Sequence, residues 1–189
     1  SSQLFSGYAK LVKWASKKDG NTEPEPDDPE PDSEYYYGFN DSSEGWSAPE
    51  CSGYTNEVMS DSGAHRGTGY LKSYESSGGG NHLCDPNKTD NLEMSYYQDY
   101  ENTGTSFRVT GWTRTKSSFS GTSSVTNRCV KVLNAETLKV LRSECKKWKY
   151  TKDTGCSNFD YDFTPYVTGV PFVRVVIGAY DSWGTDWNQ

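Results

Sequence analysis

The stretch that most constrains this chain is Pro171–Tyr180, PFVRVVIGAY. Val173, Val175, Ile177 and Ala179 alternate onto one face, and Phe172, Arg174 and Val176 take the other. Alternation with β-branched residues dominating is the pattern of a strand. A strand this apolar belongs inside a sheet and needs neighbours on both sides. Gly178 to Gly184 then reads as a turn-rich exit, with Trp183 and Trp187 near the end. Too few residues follow for another full strand. What lies beside Val173, Val175 and Ile177 is therefore the question the rest of the sequence has to answer.

The body supplies further strands near 35–40, 67–74, 92–100, 105–115, 125–133 and 138–143, with Gly, Asn, Asp and Ser between them. Val130, Val132 and Leu133, then Asn134–Thr137, then Leu138, Val140 and Leu141 predict a hairpin with a four-residue turn. Only 32% of residues are hydrophobic, so the core must draw on the 14 tyrosines and 6 tryptophans. Strands at this spacing without helices between them predict an all-β fold, a β-sandwich over residues 35–189.

Two different segments precede that body. Residues 1–18 form an arm in which two periods compete. Leu4, Phe5, Tyr8, Leu11, Val12 and Ala15 make a helical face, while Phe5, Gly7, Ala9 and Leu11 alternate as in a strand. Residues 19–34 form an acidic tether whose four prolines and like charges keep it extended. At about 3.1 Å per residue it reaches on the order of 40 Å. Of the 26 acidic residues, seven lie in 21–34 without a base, which leaves 19 to balance the 19 basic residues elsewhere. A neutral body offers no footprint for nucleic acid. No stretch approaches the roughly 20 apolar residues of a membrane span. The first residue is Ser1 rather than Met, the expectation for a processed, exported chain.

The order of several short motifs resembles the galactose-binding-like jelly rolls found in many carbohydrate-binding modules. They are Tyr37-Gly38-Phe39-Asn40-Asp41 with Gly45-Trp46, then Ser62–Leu71, then Phe107–Arg114, then the hairpin at Asn134–Thr137 and the strand Val173–Ile177. The resemblance implies a β-sandwich jelly roll. In the family a further strand closes the sheet after the region matching Asp181–Asn188, and this chain is expected to lack it. The family's structural calcium is held partly by a Glu after the first Phe, where Asn40 stands here. No cofactor is therefore expected beyond that calcium, and the residues present do not support it.

Cys51, Cys84, Cys129, Cys145 and Cys156 show neither zinc-site nor CxxC spacing, so disulfides in a secreted chain are expected. Cys145–Cys156 across a basic loop and Cys51–Cys84 across a Gly/Ser-rich one are the preferred pairs. Asn40 and Asn87 open glycosylation sequons. Tyr97 and Trp112 fall on the outward face of their strands, and with Arg114 they make a candidate sugar platform. Catalysis has little support: His65 and His82 are the only histidines and neither neighbours a nucleophile motif. No metal site is expected.

These readings converge on assembly. A sandwich missing its last strand has an open place beside an apolar strand, and such an edge is an aggregation hazard. The arm, through Leu4, Phe5, Tyr8, Ala9, Leu11 and Val12, is a spare element on a long tether. The expectation is a secreted, non-enzymatic subunit whose arm complements the acceptor strand Val173, Val175, Ile177 of another copy. Head-to-tail contacts of that kind propagate as a filament. A monomeric carbohydrate-binding module is the alternative.

Overall fold

The computed structural model describes residues 2–6, 9–14, 32–37, 39, 42–49, 54–60, 69–75, 94–103, 105–116, 124–149 and 153–183. The strands are β1 (Ser2–Ser6), β2 (Ala9–Trp14), β3 (Asp32–Tyr37), β4 (Tyr54–Ser60), β5 (Gly69–Glu75), β6 (Met94–Glu101), β7 (Arg108–Lys116), β8 (Ser124–Asn134), β9 (Val140–Lys149), β10 (Ser157–Asp162) and β11 (Phe172–Trp183). One short helix, α1 (Thr164–Val167), precedes β11. The fold is all-β and its pairings are antiparallel. One sheet follows the path β3-β2-β7-β1-β5-β4, with β10 on the other edge of β7. The second sheet runs β6-β11-β8-β9.

β11 is an inner strand, as its two apolar faces require. Val173, Val175 and Ile177 pair with Tyr100, Gln98 and Tyr96 on β6, and with Asn134, Val132 and Val130 on β8. Both places beside the expected acceptor are therefore filled by the chain's own strands. The strand also does not end at Gly178. It continues to Trp183 because β8 extends to Ser124 and keeps offering ladder partners. Partner length, absent from a one-strand pattern, decides where β11 stops.

The two sheets share one core. Leu71, Val109 and Phe159 from the first sheet meet Tyr96, Tyr100, Val130, Val132, Val173, Val175 and Ile177 from the second. Phe39, Trp46, Phe107 and Phe163 join the same core. Burying a side chain of this size contributes about 1.5–3 kcal/mol. Aromatics thus compensate for the low hydrophobic fraction. Tyr96 shows how: its ring is buried while its hydroxyl donates to the Lys72 carbonyl at 2.8 Å. Burial pushes that phenol's pKa up. Gly45 leads Trp46 into the core at φ +89°, and a Cβ there would sit 2.9 Å from Gln98 Nε2.

The expected hairpin forms between β8 and β9. Asn134 Oδ1 accepts from the backbone N–H groups of Glu136 and Thr137, each at 2.9 Å, which closes the turn. A bulge at Val132/Leu133 follows. This hairpin sets the disulfide. β8–β9 pairing places Cys129 directly opposite Cys145, with Cα atoms 4.1 Å apart, and the two are bonded. The expected Cys145–Cys156 bond is therefore replaced, and Cys156 is a free, exposed thiol. Strand register, rather than closeness in sequence, chose the partner. Cys51, Cys84, Asn40 and Asn87 lie outside the described residues. A disulfide is compatible with an extracellular protein. Among the described residues, no helix is long and apolar enough to cross a membrane.

Two strands, β4 and β10, were not legible. β4 is YTNEVMS, with no clean alternation, and β10 alternates apolar residues only at Phe159 and Tyr161. β3 begins at Asp32, so the last three residues assigned to the tether, Asp32, Ser33 and Glu34, belong to a strand.

Candidate functional site

The arm takes the strand alternative of its two competing periods. β1 lies between β5 and β7: Leu4 is registered with Lys72 on one side and Arg114 on the other. β2 lies between β3 and β7: Leu11 is registered with Tyr35 and Val109. β1 and β2 therefore follow one edge of β7 in succession. From Leu4 to Lys10 the arm advances six residues while β7 steps back four, from Arg114 to Thr110.

The register shows what the arm completes. Phe5 stands opposite Leu71, and Leu11 opposite Val109, both core residues. Gln3 stands opposite Ser73 and Thr115, which are 0% and 2% exposed. Gln3 and Leu11 thus register with buried positions of β7. Without β1 and β2, β7 loses every pairing on this edge among the described residues, and β5 keeps only β4. The arm is interior to the sheet, not appended to its rim.

The opposite edge of β7 is held by β10. Arg108 donates from Nε and Nη2 to both Asp160 oxygens, at 2.5 and 2.6 Å. Arg114 makes the same fork to Asp153 at 2.9 and 2.6 Å. These hydrogen bonds raise both guanidinium pKa values. Beneath them lies Arg128 of β8, 1% exposed. Its Nη1 donates to the Thr113 hydroxyl and to the carbonyls of Ser157 and Asn158, and its Nη2 to the Tyr161 hydroxyl, at 3.2–3.3 Å. Among the described residues its Nε has no partner, and Phe159 lies 5.1 Å from the guanidinium. Burial lowers the pKa of this cation. Arg128 therefore ties the second sheet to β7 and β10 through neutral oxygens. One edge of β7 is fixed and the other receives the arm.

The expected acceptor and the observed one differ. Val173, Val175 and Ile177 already have β6 and β8 beside them. The arm's place is instead beside Arg108–Thr110 and Arg114–Lys116 of β7, and Tyr70–Tyr74 of β5. The chain's own arm occupies it. The sequence signal for this place is faint because its inward positions include Ser73, Thr113 and Thr115, which look like surface residues in a pattern.

The candidate sugar residues are not brought together. Tyr97 is on β6 of one sheet, while Trp112 and Arg114 are on β7 of the other. Arg174 covers the Tyr97 ring at 4.4 Å and is itself forked onto Asp99. Arg114 is engaged by Asp153. Alternation placed each residue on a face without telling which sheet the face belonged to. Among the described residues, no group of three His, Cys, Asp or Glu side chains is placed to hold a metal ion. His65 and His82 lie outside them. A cleft of about 540 Å³ near α1 is lined by Thr103, Thr105, Ser106, Thr164 and Thr168, among others, without a titratable side chain.

No protein-family model matches the chain, and no curated protein matches its sequence.

Proposed function

We propose that this protein is a secreted structural subunit, a β-sandwich jelly roll that self-assembles head to tail into an extracellular filament by exchanging its N-terminal arm. One observation carries the reading: β1 and β2 are interior strands of the first sheet, yet the chain reaches them from β3 through the long acidic, proline-rich stretch 15–31. An isolated copy fills its own place. In the assembly, the arm of one copy takes the same register along β7 of the next, and the vacated place accepts a third. Because the same ladder forms either way, exchange replaces like with like, the low-cost route of domain swapping. Donor and acceptor surfaces differ, so the contact propagates rather than closing a dimer. The partners are other copies of the chain.

The arm is expected to act as a soluble inhibitor of this process. A synthetic peptide of residues 1–14, added in excess to the assembling chain, occupies free acceptor places and caps growing ends. Polymer length read by electron microscopy should fall with peptide concentration. A peptide with Phe5→Asp and Leu11→Asp, the two positions opposite core residues, should leave length unchanged. Polymers equally long with either peptide contradict the reading.

A further inference from the structure

β9 is an edge strand: it pairs with β8, and among the described residues no strand pairs its outer side. Edge strands carry lysines that deter ladder extension. This one carries more than that role needs. Residues 139–149 contain Lys139, Arg142, Lys146, Lys147 and Lys149 against a single acid, Glu144. Arg142 is committed to Glu144, at 2.6 Å, and to the Tyr166 ring, at 4.8 Å. Lys139, Lys146 and Lys147 are exposed, and among the described residues no carboxylate pairs with them; Lys146 reaches the Ser157 hydroxyl at 3.5 Å and the Trp148 ring at 4.9 Å. Elsewhere in residues 35–189 there are ten bases and 17 acids, so this is a concentration of positive charge along one edge of an otherwise acidic body.

The matching opposite charge is in the same chain. Glu23, Glu25, Asp27, Asp28 and Glu30 fall within ten residues and no base interrupts them. Pro24, Pro26, Pro29 and Pro31 remove the N–H groups a regular added strand would need. Such a segment is held by its carboxylates, not by a ladder. We propose that the β9 edge of one copy docks the acidic stretch 23–30 of a second copy. This deepens the arm-exchange reading and rests on it, since a neighbour whose arm is donated brings its tether along. The two contacts differ in kind. The arm contact is a backbone ladder over a core and is little screened by salt, while the tether contact consists of exposed ion pairs.

The test uses two full-length variants. One reverses the edge, with Lys139→Glu, Lys146→Glu and Lys147→Glu. The other reverses the tether, with Glu23→Lys, Glu25→Lys and Asp28→Lys. Sedimentation velocity reads self-association at about 0.05 M salt, where the Debye length is still well above contact distance. Each variant alone should associate roughly tenfold more weakly than the natural chain, from three or so lost pairs of modest strength. The natural chain should weaken by a similar factor in about 0.5 M salt. An equimolar mixture of the two variants should recover association, because opposite charges then meet only between unlike copies. Variants that associate like the natural chain overturn the proposal. So does a mixture that stays weak while the double variant recovers, which places the contact within one chain. Loss of arm exchange itself is read separately, by cross-linking of arm to β5, and leaves these charge effects distinguishable.

Discussion

A chain lacking residues 1–14 is expected to lose polymerisation and to melt roughly 10–15 °C lower than the full chain. The arm supplies ladder bonds to β5, β7 and β3. At about 1 kcal/mol net for each such bond, removing a doubly paired strand costs several kcal/mol. For a chain of this size each kcal/mol lowers the melting temperature by about 2–4 °C. Beyond stability, the truncation bares the edges of β5 and β7, so the shortened chain should aggregate non-specifically. Adding the arm peptide should restore both solubility and melting temperature. A truncated chain that melts like the full one, or still forms ordered fibres, is incompatible with an interior arm.

Arg128→Ala is expected to destabilise the fold by about 3–5 kcal/mol, the range for emptying a large buried site and leaving its polar neighbours unpaired. The lost groups are specific: the Thr113 and Tyr161 hydroxyls and the Ser157 and Asn158 carbonyls all lose their donor. Arg128→Met keeps most of the volume and removes a cation that burial disfavours. It should recover at least half of the loss in denaturant unfolding. Because Arg128 backs β7 from the second sheet, both variants should also speed hydrogen exchange in β1 and β2. Equal destabilisation by Ala and Met would assign the whole effect to the hydrogen bonds. Unchanged exchange in the arm would separate Arg128 from the acceptor place.

What could be read in advance depended on whether one strand sufficed. The inner position of β11 was legible because Val173 to Ile177 carry apolar residues on both faces. The hairpin at Asn134 was legible because the turn residue and both flanking strands are local. The identity of a neighbour was not legible. Nothing in the pattern of β11 says that β6 and β8 flank it, so its apparent open side was assigned to the arm. The arm's own alternation, Phe5, Gly7, Ala9 and Leu11, is visible, but the competing helical face counts slightly better. Its register with Leu71 and Val109 decides between them, and register is a property of the pair. Cys145 illustrates the same point, since Cys129 is nearer across the ladder than Cys156 is along the loop. Arg128 reads as an ordinary surface residue of a strand until the first sheet closes over it.

The central claim is that the strand beside β5 and β7 is supplied by another copy in the assembled state. Gln3 and Ser73 are registered partners, and Ser73→Cys is a near-isosteric change at a buried position. One chain carries Gln3→Cys, a second carries Ser73→Cys, and both carry Cys156→Ser to remove the exposed free thiol. The two are mixed, allowed to assemble and oxidised, and the linked peptides are identified by mass spectrometry. Arm exchange predicts a disulfide between position 3 of one chain and position 73 of the other, and a single band of covalently linked pairs on a non-reducing gel. Assembled material in which the mixture yields no such link, while a single chain carrying both changes links only to itself, contradicts the account.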